Sequence, residues 1–420
     1  MRKSLEQTRR ELSQALYQHD AACRVICRLV KEKEDLQRAL AMTSDKVEEY
    51  KSQLAASVDA PKGGFVREEK EDEGVYKELV VRMEKLCDSL QEQRKQLKPS
   101  EGYPKPEEYA GLKEAAKYPA HDTTKPGVND IDVHATNENL ILSGGNDGKA
   151  VLLDHSSGSV VKKFEPFETK KRGAKKAAIT VARFVPGQAE PYGLLCTSDG
   201  QASVWSFDQA TPRYTCKPHS AGITDASFQP LNEYVALASK DKSWSFHNLF
   251  QGVRLATFQE EQEITSLQFH PDGLMLVAGL RDGLLKIYDV RTNQEIFKIA
   301  DFKGEGVASI GFSNRGLNFA AAWAGSDVVR VFNLKKLGKE VAEVKVAAPA
   351  SSVKFDAYGN TLLVGAGAGL SVHAGKQWAQ VGVVEKALDT GVVSVARFSA
   401  SGRRVVTAGA EDRFVKVFTI

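Results

Sequence analysis

At 420 residues the chain is long enough for more than one independently packed unit, and 42% hydrophobic with 26% charged residues is an ordinary globular composition. Its formal charge of +3 is too small for bulk attraction to nucleic acid. No run approaches the ~20 consecutive apolar residues of a membrane helix, no apolar segment follows the charged N-terminus as a signal peptide requires, and five scattered cysteines suit free thiols in a reducing compartment.

The first element is a helical arm over 1–58. Steps of seven from Leu5 give Leu5, Leu12, His19, Ile26, Lys33, Leu40, Val47 and Leu54, and the companion series is Thr8, Ala15, Ala22, Leu29, Leu36, Thr43 and Tyr50. Eleven of these fifteen positions are apolar, the seam of a left-handed coiled coil. Leu16, Cys23 and Val30 widen the stripe beyond what two strands bury, so the seam predicts a homo-oligomer of more than two helices. His19 falls in the core between Ala15 and Ala22, where a polar layer fixes register. His19, Cys23 and Cys27 do not make a zinc site, which wants four ligands and usually a tight cysteine pair.

Residues 59–74 read as a linker opened by Pro61, Gly63 and Gly64. A second amphipathic helix follows over 75–98, with Tyr76, Leu79, Met83, Leu86, Leu90 and Leu97 on one face; it could fold back on the first helix or take up a partner's. Residues 99–127 carry five of the fourteen prolines and read as a linker to a separate domain.

From 128 to 420 one motif recurs seven times. Phe184, Phe228, Phe269, Phe312, Phe355 and Phe398 are spaced by 44, 41, 43, 43 and 43 residues, with Val133 in the same column of a first copy. Each copy has a short alternating strand, a second strand of small and branched residues, and a tight Asp- or Gly-based turn such as Asn146-Asp147-Gly148 or Arg281-Asp282-Gly283. A third strand then ends on a bulky residue: Leu153, Trp205, Phe246, Tyr288, Phe332, His373 or Phe418, followed in three copies by Asp154, Asp289 or Asn333. This period marks WD-repeat blades. The fold class expected is an all-β seven-bladed WD-repeat propeller preceded by an α-helical coiled-coil arm. The seventh copy ends after three strands, so residues near 112–124 are expected to supply its outer strand.

The His-Ser-Asp-Trp hydrogen-bond relay of such repeats is nearly intact only in the third copy, as His219, Ser239 and Asp241 with Phe246 for the tryptophan. These residues read as structural, since no nucleophile accompanies them. Residues 162–176 form a basic loop of net charge +5 that includes Lys170, Lys171, Arg172, Lys175 and Lys176. It reads as a solvated connection, a nuclear-import signal or a phosphate contact, giving at most a weak or indirect RNA contact.

The arm segment from Glu11 to Leu29 resembles the central coiled coil of the pre-mRNA-processing factor 19 family. In the repeats, Gln268 to Leu274, Asp241 to Phe246, Lys376 to Trp378 and Asp412 to Phe418 resemble its fourth, third, sixth and seventh blades. The resemblance is specific over about 4–40 and 128–420 and vague between. It implies a homotetrameric arm in a nuclear, spliceosome-associated scaffold that binds splicing-complex proteins through arm and propeller. It also implies a U-box that recruits a ubiquitin-conjugating enzyme, but the chain begins inside the coiled coil. The ligase chemistry is therefore carried over to no residue here: the expectation is either a truncated gene model, with a U-box encoded upstream, or a lineage that kept the scaffold and lost the ligase. No catalytic residue, metal, cofactor or membrane contact is expected.

Overall fold

The computed structural model describes residues 65–66, 73–167, 176–188, 191–208, 211–300, 305–336, 340–375 and 377–420. The chain divides into two compact units, Met1–Pro61 and Lys62–Ile420, and all described residues belong to the second. The arm residues Leu5, Leu12, Leu16, His19, Ile26, Leu29, Leu36 and Leu40 lie outside the described residues, as do Lys170, Lys171, Arg172 and Lys175.

Seven antiparallel sheets make the ring. Their innermost strands are Val128–Val133, Ile179–Phe184, Ile223–Phe228, Ile264–Phe269, Val307–Phe312, Ala350–Phe355 and Val393–Phe398, numbered here as blades 1 to 7. The second strands are buried almost throughout, as in Tyr234–Ser239, because they lie between neighbouring blades. Outer strands alternate: Ser159–Phe164 exposes every second residue.

Each inner strand has a register shift after its first residue, for example between Ile223 and Asp225, Ile264 and Ser266 and Val393 and Val395. The extra residue in this bulge turns its side chain to the next blade. Thr180 Oγ1 donates to Ile223 O (2.6 Å), Thr224 Oγ1 to Ile264 O (2.6 Å), Thr265 Oγ1 to Val307 O (2.6 Å) and Ser351 Oγ to Val393 O. Asn129 Nδ2 does the same to Ile179 O (2.8 Å), and Ser394 Oγ closes the circle on Val128 O (2.5 Å). Only the junction of blades 5 and 6 lacks this bond, because Ala308 occupies the position.

The outer strand of blade 7 is Lys113–Pro119, antiparallel to Phe414–Thr419. The third strand of that blade therefore pairs on both sides and presents no open edge. The flank before the closing strand is also part of the ring, which differs from a free linker over 99–127. The reason is aromatic: Tyr103 and Tyr109 lie between the prolines, and both find partners on the ring. Tyr109 is fully buried, its ring 5.6 Å from Phe398 and its hydroxyl 3.1 Å from Gly402 O. Tyr103 donates to Asp356 Oδ2 (3.0 Å) and meets the Tyr358 ring edge-on at 4.6 Å.

The second helix spans Glu73–Lys95, and its apolar face docks on its own propeller rather than on another helix. Tyr76, Leu79 and Met83 are buried in one cluster with Tyr234, Phe269 and Val290 of blades 3 and 4. Arg82 pairs with Glu233 (2.9 Å), Arg94 with Asp272, and Glu84 with Arg291 (3.3 Å). The seam read from the sequence is real as a stripe; blades 3 and 4 supply the apolar surface that buries it. Phe65–Val66 adds a short fifth strand outside Arg254–Gln259 of blade 3.

Candidate functional site

The turn of blade 3 carries the most complete side-chain network on the face where each blade's last loop leads into the next inner strand. His219 Nδ1 donates to Asp241 Oδ2 (3.0 Å), Ser245 Oγ to His219 Nε2 (2.7 Å), and His247 Nε2 to Ser245 Oγ (2.8 Å). Asp241 also accepts from Ser220 N (2.9 Å), Ser243 N (3.1 Å) and Ser243 Oγ (2.6 Å). Burial alone would raise the Asp241 carboxyl, but the bonds from His219 and Ser243 outweigh it and hold it well below the carboxylate range. Burial, with His219 and Arg254 nearby, pushes His247 down to about 3, so it stays neutral. Ser239 has a different role from the relay expected of it: its hydroxyl faces Ala221 O and Gly222 O (3.2 Å each) and accepts from Asp241 N (3.1 Å). Ser245 takes the histidine instead. Phe246 is buried and stacks on Tyr234 at 5.7 Å.

The relay is not confined to blade 3. In blade 1, His121 Nδ1 donates to Asp147 Oδ1 (3.0 Å) and Ser143 Oγ to His121 Nε2 (3.1 Å). Asp147 falls to about 2: burial opposes this, and the bonds from His121 and the N–H groups of Asp122 and Lys149 outweigh it. A Cβ at Gly145 would lie 2.3 Å from His121 Nδ1, so only glycine lets the imidazole into its slot. Sequence reading missed His121 because it precedes the first repeat, within the segment taken as a linker.

Blades 4 and 7 place carboxylates where blade 3 has His219, four residues before the inner strand. Glu260 is buried, accepting from the Tyr288 hydroxyl and from Lys286 Nζ (2.8 Å). Asp389 accepts from Lys416 Nζ (2.8 Å) and from Lys117 on the closing strand, which hold its carboxyl near 2. Trp205, Asp282 and Asp289 of the repeats also make contacts within the ring. Trp205 packs on Phe164 at 5.2 Å. Asp282 accepts from Leu284 N (3.2 Å) within its turn, and Asp289 pairs with Arg291 (2.7 Å). Lys176 pairs with Glu165 (2.5 Å).

Sequence reading also missed the belt of charge lining the central channel. Asp130 of blade 1 pairs with Arg183 of blade 2 (3.1 Å) and Arg397 of blade 7 (3.4 Å), and Arg183 pairs with Asp225 of blade 3 (2.6 Å). Asp225 goes on to accept from Ser266 Oγ (3.1 Å) and Leu267 N (2.8 Å) of blade 4. Lys354 of blade 6 reaches Gln268 Oε1 (3.3 Å) and Ile310 O (3.1 Å); burial and then Arg397 and Arg183 depress its amine to about 7. Cavities of about 660 and 230 Å³ open at one mouth of this channel and share Asp132 and Arg397.

These networks fasten loops and blades to one another, with Ser143 and Ser245 of the two Asp–His–Ser relays fully buried, and the fold is that of a WD-repeat propeller. Comparison with known proteins is specific on lineage. A family described as Prp19/Pso4-like matches residues 1–43, the WD domain G-beta repeat matches 112–154 and 210–248, and a nucleolar protein 10-like N-terminal domain matches 238–381. A pre-mRNA-processing factor 19 of Caenorhabditis elegans is 31% identical over 431 residues, spanning 100% of this chain and 81% of the relative. A homolog from Arabidopsis thaliana is 29% identical (100% and 80%), and the Homo sapiens protein 28% (100% and 82%). The chain belongs to the pre-mRNA-processing factor 19 family.

Proposed function

We propose that this chain is an oligomeric scaffold of a spliceosome-associated complex in pre-mRNA splicing, located in the nucleus, which self-associates through residues 1–58 and docks partner proteins on its propeller. The observation that carries the reading is the heptad seam Leu5 to Leu54, which lies on the Prp19/Pso4-like match as far as residue 43 and is widened by Leu16, Cys23 and Val30 beyond what two strands bury. A rigid ring on such an arm gives several identical copies of one surface, and avidity then strengthens weak contacts without new chemistry. The basic loop at Lys170, Lys171, Arg172, Lys175 and Lys176 serves as the import signal in this reading. Ubiquitin-ligase chemistry is not part of the proposal.

Sedimentation equilibrium of the full chain, paired with its Ile26→Asp variant, tests the arm. Wild type should sediment as an oligomer and the variant as smaller species, because a carboxylate in the seam has no partner. A monomeric wild type, or a chain that retains no splicing proteins from nuclear extract, sinks the reading.

A further inference from the structure

Between the extended flank and the ring, at the junction of blades 5 and 6, lies a cleft of about 950 Å³. Two unusual features line it. Thr361 is 2% exposed, and its hydroxyl has no hydrogen-bond partner among the described residues. Trp378 adopts φ +52°, in the turn position before the outer strand where blades 1 and 4 have Gly158 and Asn293 at φ +67° and +57°. A bulky side chain in left-handed backbone is an outlier that its surroundings must hold in place, and such residues cluster where a ligand is bound. An orphaned buried hydroxyl in the same wall is a second, independent departure.

We propose that this cleft docks an extended peptide of a partner protein, which presents a carboxylate side chain to Arg315 and an apolar side chain to the wall of Tyr103, Val341 and Trp378. Arg315 is exposed, and only its Nε is engaged, to Tyr358 O (3.3 Å); both terminal nitrogens are free among the described residues to take a carboxylate as a fork. Asp356, the only acid among the described lining residues, already accepts from Tyr103 Oη (3.0 Å), Asn360 N (2.7 Å) and Thr361 N (2.8 Å). The exposed Lys105 on the flank adds a second cation. Val341 is 50% exposed, apolar surface left for a ligand to cover.

Continuity argues for an extended occupant. The segment carrying Pro99, Pro104 and Pro106 already runs along this groove and forms one of its walls, with Ser100 N bonded to Tyr358 Oη (3.2 Å). A second extended segment laid beside it meets the same kind of surface. The junction is also the one without the inter-blade hydroxyl bond, since Ala308 stands where the other blades have Thr, Ser or Asn.

The inference rests on the ring being a docking surface, and its test separates the two claims. A displayed library of random decapeptides is panned on the full chain, and enriched peptides are remade with a fluorophore for polarisation. They should carry Asp or Glu a few residues from a bulky apolar side chain. Arg315→Glu should weaken them about tenfold or more, the loss of one charge-assisted pair. Val341→Asp, also a surface change, should weaken them as well, with both variants melting as wild type. Enriched peptides without a carboxylate, undiminished binding to Arg315→Glu, or no enrichment over an unrelated propeller would each overturn the cleft. A chain that oligomerises and retains splicing proteins yet fails here loses the cleft alone.

Discussion

Tyr109 is the place to test whether the N-terminal flank holds the ring shut. Its ring is fully buried against Phe398, in a cluster that includes Leu388 and Phe418. An aromatic of this kind buries roughly 150–250 Å², which at ~25 cal/mol per Å² is worth about 4–6 kcal/mol as an upper bound. Tyr109→Ala should therefore cost about 3–5 kcal/mol, roughly a fifth or more of an ordinary domain's stability. Tyr109→Phe keeps the ring, loses only the 3.1 Å bond to Gly402 O, and should cost about 1 kcal/mol. Gly382 offers a second handle: a Cβ there would lie 2.4 Å from Tyr109 O, so Gly382→Ala pushes the flank away while leaving the tyrosine itself unmutated. Denaturant midpoints measure the losses, and trypsin reports where they fall, because Lys113 and Lys117 on the closing strand become cleavable first. The two lesions act on one joint, so the double variant should lose less than the sum. Unchanged midpoints with Lys113 and Lys117 still protected in Tyr109→Ala would show that the flank is not what closes the ring.

His219→Ala should cost roughly 2–3 kcal/mol at pH 7 by removing one donor from the Asp241 carboxylate and the acceptor of the Ser245 hydroxyl, read from urea midpoints. Asp241 and Asp147 are lowered on folding, so the stability they contribute is fully present above the ordinary carboxylate pKa near 4 and is lost as pH falls; for Asp147 the window runs from about 4 to about 2. The acid limb should flatten in His219→Ala, and an unchanged limb would contradict this. Lys354 has the opposite sign, a base whose folded pKa is lowered to about 7. Its penalty is complete below pH 7 and fades toward the ordinary lysine range, so Lys354→Met should raise the melting temperature at neutral pH and lose that advantage by about pH 10. Met83→Asp should undock the second helix, seen as faster amide exchange over Glu73–Lys95 with the ring still folded. Exchange as slow as wild type would mean that Tyr76 and the ion pairs suffice.

The ring was legible because its phenylalanine column recurs with a jitter of only three residues, and the shortfall in the seventh copy could be counted. What a sequence pattern cannot show is which surface meets which. The stripe Tyr76, Leu79, Met83 announces an apolar face, but blades 3 and 4, far along the chain, are what it covers. The charged belt hid for a related reason. Arg183, Lys354 and Arg397 sit at the fifth residue of their inner strands, an alternation position that ordinarily faces water. In a closed ring that direction points into the channel, so solvent-facing residues become partners of one another across blades. Residues 99–127 read as linker from their prolines, with only 112–124 expected on the ring, whereas Tyr103 and Tyr109 ahead of that stretch and the His121 side chain within it each have a site there. If the flank is structural in this way, removal of residues 1–119 should leave the third strand of blade 7 with an open edge and the cleft at blades 5 and 6 without its outer wall. Ring stability and peptide docking should then fail together in that truncation, whereas Arg315→Glu should separate them.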